Sequence, residues 1–168
     1  MNKTTVTAVA GYFTVATFLL MRSLPFTGLT VSSAPGGFML GMGVGLVLVV
    51  LAVLSWLENQ GLDGLTFFLV ALMVVAPVSL VALGAVLWYF VVFLGLWMAA
   101  RSAGGMRFLF LLLLDIALAL QFVAGVFGAA GLDRIGAWVA VVASIAALYY
   151  ALAVVLRDGC GKKCLPGA

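Results

Sequence analysis

The chain has 168 residues, of which 67% are hydrophobic and 8% charged, with a net charge of +3 at neutral pH; its mean hydropathy is +1.36. This composition excludes a soluble domain, which needs far more polar surface to cover a core. The slight positive balance comes without any basic patch interleaved with aromatics, which excludes nucleic acid as a partner.

The apolar residues fall into five runs: Thr5–Met21, Gly37–Leu57, Gly64–Ala100, Phe108–Gly131 and Ile135–Leu156. None shows the period-two alternation of an outer-membrane barrel strand. Helices fit, because a helix satisfies its own backbone in lipid. The third run as one helix would extend about 55 Å, against a hydrocarbon core of about 30 Å. Pro77 and Ser79 fall near its middle, and Gly84 follows. The sequence therefore predicts two helices there. The expected fold is an all-α, polytopic bundle of six transmembrane helices, at about 5–21, 37–57, 64–78, 80–100, 107–130 and 135–156. A single Pro-kinked third helix would give five. The expected organisation is one membrane domain over 1–168, with 157–168 as a short cytoplasmic tail.

Lys and Arg counts give six against two in favour of a cytoplasmic C-terminus in either topology. With six spans the N-terminus is cytoplasmic too, and the expected location is the cytoplasmic (inner or plasma) membrane. The first run is read as a retained helix rather than a cleaved signal. Ser32, Ser33 and Ala34 lie far beyond Met21, and Pro35 would follow the cut.

Small residues recur at helical spacing. Gly37, Gly41 and Gly45 form one stripe, and Ala143, Ala147 and Ala151 another. Such stripes let helix backbones approach closely, within a bundle or between subunits. Trp56, Trp88, Trp97 and Trp138 fall near predicted helix ends, where interfacial anchoring accounts for them.

Histidine is absent, so neither a Ser–His–Asp nor a Cys–His arrangement can form. No enzyme activity and no cofactor are expected. Cys160 and Cys164 alone cannot complete a tetrahedral zinc site, and no metal is expected. Glu58, Asp63, Asp133 and Asp158 lie in gaps between runs and read as solvated charges. Asp115 is different, being the one charged residue inside an apolar run. A charge at mid-membrane costs at least ~2.5–3.5 kcal/mol on insertion scales and is a functional candidate by default. It reads equally as a structural acid bonded between helices or as a proton or substrate relay. Tyr149 is among the hydroxyls available to a polar path.

The last helix carries a family likeness. Trp138, Tyr149-Tyr150-Ala151 and Gly161…Leu165-Pro166 resemble the closing segments of the acetate uptake transporter family, the family of the bacterial succinate–acetate permease. Gly64-Leu65-Thr66 is similar to the family's G-L-T, and Leu111–Leu120 to its fifth helix. The likeness covers most of 37–168. At the first helix Thr4–Ala10 stands where the family has N-P-A-P-L-G-L, and Leu51, Ala71 and Val154 replace polar, aromatic and acidic groups. The resemblance implies a homo-oligomer, typically a hexamer, with one pore per subunit. It places Phe13 and Ile116 at the constriction, with a small organic anion as the transported partner and membrane lipids around it. The expected function is a transporter or channel for a small solute, most simply a monocarboxylate such as acetate moving with a proton. The rival expectation is a non-transporting membrane protein of structural or assembly role.

Overall fold

The structure is a computed structural model that describes residues 3–27, 37–75, 91–92, 94–95, 97–98, 101 and 105–160. Among these residues it contains five complete α-helices and one short 3-10 helix: α1 (Lys3–Ser23), the 3-10 helix (Leu24–Thr27), α2 (Gly37–Leu57), α3 (Gly61–Val75), α4 (Gly105–Phe127) and α5 (Ala130–Cys160). Among the described residues five helices are thus delimited, against the expected six. The described residues between 91 and 101 are also helical, and they fall where the fourth of six helices was expected. Pro77 and Ser79, the expected break, lie outside the described residues. The last helix begins at Ala130 and continues through Arg157 to Cys160, so residues 157–160 are helix rather than tail. Cys164 lies outside the described residues.

Among the described residues three helices are long and apolar enough to cross a membrane: Thr5–Ser23, Gly105–Phe127 and Ala130–Arg157. Gly43–Leu57 and Gly61–Leu72 are shorter apolar helices.

Helix α1 packs against α2 and α5, α2 against α3, and α4 against α5. On α1 the inward face is Ala8, Tyr12, Val15, Ala16 and Leu19, one side of a 3.6-residue period. On α4 it is Phe110, Leu111, Leu114, Asp115, Leu118 and Ala124. Val92 joins the same core.

The two tight hairpins end their first helix in the same way. Asn59 has φ 60° and Gly128 φ 64°. A residue in this left-handed region lets the chain fold back and pair the last helical carbonyls. At the α2–α3 turn the Gln60 N–H donates to the Ser55 carbonyl at 2.8 Å, and the Asn59 N–H to that of Trp56 at 3.1 Å. At the α4–α5 turn the Ala129 N–H donates to the Ala124 carbonyl at 3.0 Å. These turns make α2/α3 and α4/α5 antiparallel neighbours.

Among the described glycines, close helix approaches occur at Gly11, Gly64, Gly95 and Gly136. A Cβ at Gly11 would lie 2.0 Å from the Phe67 ring, and one at Gly64 2.4 Å from Trp56. At Gly136 it would meet Gln121 at 3.1 Å and the Ala117 carbonyl at 3.3 Å. Of the expected stripe, Gly45 is buried, whereas the surroundings of Gly37 and Gly41 lie outside the described residues. Ala143, Ala147 and Ala151 are all buried in the core.

Gly11→Ala is expected to destabilise the bundle by about 1–3 kcal/mol through overpacking against the enclosed Phe67 ring. Phe67→Leu in that background is expected to recover part of the loss. Gly43 has open space around it, so Gly43→Ala is expected to stay within about 0.5 kcal/mol. Thermal unfolding in mild detergent measures all three.

Candidate functional site

The bundle carries a polar centre at the end where α1 begins. Tyr12 is fully buried on α1. Its hydroxyl donates to Asp63 Oδ1 at 2.7 Å and accepts from Arg107 Nε at 2.9 Å. Arg107 Nη2 closes the triangle with an ion pair to the same Asp63 oxygen. Asp63 lies in the first turn of α3, where the helix dipole favours a carboxylate. Arg107 lies near the start of α4. One phenol, one carboxylate and one guanidinium thus tie three helices together.

Aromatic rings enclose the triangle. Tyr12 makes edge contacts with Phe67, Phe110 and Tyr150, with ring centres 5.2, 5.8 and 4.8 Å apart. The Arg107 guanidinium carbon lies 5.9 Å from the Tyr150 ring centre, within cation–π range. Next to the triangle is a second link between α1 and the α2–α3 turn, in which the Thr7 hydroxyl donates to Glu58 Oε1 at 3.1 Å.

Beside this centre opens a cavity of about 390 Å³. Thr5 of α1, Asn59 and Gln60 of the turn, Asp63, Arg107 and Arg157 supply most of its polar wall. The left-handed turn at Asn59 brings the α2–α3 connection to this wall. Helix α5 spans 31 residues, roughly 46 Å, which carries Arg157 to the same end.

Two readings are corrected here. Asp63, expected as a solvated loop charge, is 6% exposed and doubly bonded. Glu58 is half-buried and holds Thr7. Asp133 lies in the first turn of α5, and the side chain of Asp158 lies outside the described residues.

The sequence candidates occupy other places. Asp115 is on the inward face of α4 and 3% exposed. Its Oδ1 has no hydrogen-bond partner among the described residues. Phe13 is 57% exposed and Ile116 42%, so neither is enclosed within the protomer. Tyr149 is half-buried, and its neighbour Tyr150 belongs to the aromatic wall around Tyr12. The structure therefore gathers Tyr12, Asp63, Arg107 and Tyr150, a group the sequence did not single out. Its one sequence signal is that Asp63 and Arg107 each sit at the start of an apolar run, at opposite sign.

No protein-family model matches the chain, and no curated protein matches its sequence. Among solved structures the chain is similar to the bacterial acetate channel SatP. The TM-score is 0.78 at 15% identity, over 96% of this chain and 98% of that one. At this identity the likeness is one of fold. The likeness of fold thus extends over nearly the whole chain, and no sequence comparison adds a family to it.

Breaking the triangle should separate its parts. Tyr12→Phe removes one donor and one acceptor and is expected to cost about 1–3 kcal/mol. Asp63→Ala leaves a half-buried guanidinium unpaired and is expected to cost more, about 3–5 kcal/mol. The double variant is expected to lose less than the two single losses together, since the three groups act as one network. Denaturation in mixed detergent micelles gives all three values.

Proposed function

We propose that the protein is a membrane channel or transporter for a small solute, most simply a monocarboxylate such as acetate moving with a proton. The observation that carries this reading is the match of fold to an acetate channel over nearly the whole chain. Two features of the site support it. The cavity at the end of the bundle presents two arginines against one carboxylate, a balance that suits an anion. Asp115 supplies an acid on the inward face of a membrane-crossing helix. A purely structural acid spends its buried oxygens on neighbouring groups, and Asp115 Oδ1 has no such partner among the described residues. This favours the relay over the interhelical bond. In this reading Phe13 and Ile116 are the apolar groups of the path, with Asp115 beside Ile116 as the proton-exchanging group and Tyr149 a hydroxyl along it. The stripes of Gly37, Gly41 and Gly45 and of Ala143, Ala147 and Ala151 are close-packing surfaces, and the assembly is a homo-oligomer, a hexamer by the resemblance.

The test is uptake of labelled acetate into proteoliposomes of pure protein across an imposed pH gradient. Acetate is expected to enter, faster with the outside acidic. Asn keeps the shape of Asp and cannot ionise, so Asp115→Asn is expected to fold normally and lose the pH dependence. If no small monocarboxylate enters, the protein is not a transporter of this class, and the structural or assembly role takes its place.

The same reading has six spans, with both termini cytoplasmic. Asp63, in the first turn of α3, pairs with Arg107, near the start of α4, so both helices begin at one end of the bundle. Between them the chain must therefore leave that end and return. Gly95 lies against Leu69 of α3, within 2.9 Å of where its Cβ would be, and Val92 sits in the core, which supports a further span on the return. The positive charges Lys3, Arg101, Arg107 and Arg157 share that end, and it is the cytoplasmic one by the positive-inside rule. Reporter fusions at residues 3 and 168 are both expected to read cytoplasmic. An external N-terminus with an internal C-terminus would give five spans.

A further inference from the structure

We propose that the cavity bounded by Arg107 and Arg157 is a binding site for a small monocarboxylate anion, with Arg157 its main charged contact. This deepens the transport reading and rests on it for the class of anion. The argument starts from the donors. A guanidinium carries five N–H groups in a fixed fork. Arg107 commits Nε to Tyr12 and Nη2 to Asp63, which orients it and leaves other donors at the cavity it lines. Arg157 lines the opposite side from α5, is exposed, and makes no ion pair among the described residues. Asp63 balances one of the two cations, so the wall retains one positive charge, matched by one carboxylate. A planar carboxylate matches a guanidinium fork through two parallel N–H···O bonds, as a phosphate also does, and the single net charge of the wall suits the monoanion.

The neutral donors lie on the remaining wall. Thr5, Asn59 and Gln60 offer a hydroxyl and two amides. Tyr150 and Val154 also line the cavity, giving an apolar surface for a short alkyl group. A cavity of about 390 Å³ holds such an anion together with several waters.

The test uses the full-length protein in nanodiscs of neutral phosphatidylcholine, titrated with acetate in chloride-free buffer and read by saturation-transfer NMR on the acetate methyl protons. Arg157→Gln leaves the Tyr12 triangle untouched and is expected to weaken acetate about tenfold, the loss of one charged hydrogen-bonding group. Arg157→Lys, which keeps the charge and loses the fork, is expected to fall between. Acetamide, a neutral isostere, is expected not to compete. Equal affinity in Arg157→Gln, or competition by acetamide, overturns the site. An anionic lipid headgroup shares the single charge, so a second set of nanodiscs contains phosphatidylglycerol. Unchanged acetate affinity there supports the site, and displacement by the lipid assigns it to a headgroup instead and overturns the proposal. Flux measured in parallel separates this from the transport reading. Binding that depends on Arg157 without any flux keeps the site and removes the transporter. Flux with an Arg157→Gln protein that binds normally does the reverse.

Discussion

A charge placed among apolar helices must be paired, and one pairing fixes the frame of this bundle. Asp63, Tyr12 and Arg107 come from α3, α1 and α4, helices with no charged neighbour in common along the sequence. Their triangle makes each partner fulfil two obligations: Asp63 accepts twice, Arg107 donates twice, and the phenol does both. Removing any one leaves the other two in a medium where unmet polar groups cost several kcal/mol. That penalty sets which ends of the three helices face the same way. The cavity, the turn at Asn59 and the position of Arg157 follow from that placement.

Away from the triangle the helices are held by shape. Lipid is as apolar as leucine, so burial alone gives little reason for one helix to prefer another; close van der Waals approach does. The approach is made at Gly11 under Phe67, at Gly64 under Trp56 and at Gly136 against α4. Each pairs a glycine with a bulky or backbone group on the facing helix. Gly11 precedes Tyr12, so the contact that draws α1 onto α3 also delivers the phenol to Asp63. Packing and hydrogen bonding act at the same crossing.

Much of the architecture was legible in the sequence, because lipid demands uninterrupted apolar runs and the gaps between them mark turns. Helix α2 was placed at both ends for that reason, and Asp115 stood out as an acid where acids are excluded. The centre around Tyr12 was not legible. Tyr12 lies inside an apolar run, where an aromatic reads as core or anchor. Asp63 and Arg107 lie at run boundaries, where charges are ordinary. The bonds span 51 residues from Tyr12 to Asp63 and 95 from Tyr12 to Arg107, and no periodicity reports a partner at that distance. Nor was Gly11 singled out, since its closest contact, Phe67, lies far away in the sequence.

The two polar features sit at different depths, and their order matters for the proposed reading. The cavity is at the end of the bundle, where Arg107 and Arg157 stand against one carboxylate, Asp63. Asp115 lies half-way along α4 on the inward face, and among the described residues no cation bonds it. Two ionised carboxylates brought close in surroundings of low dielectric repel each other strongly. A monocarboxylate passing Asp115 must therefore share a proton with it or travel as the neutral acid. Where the solute carries the shared proton onward, the two move together past that point, and on the proposed reading such coupling needs no proton site beyond Asp115.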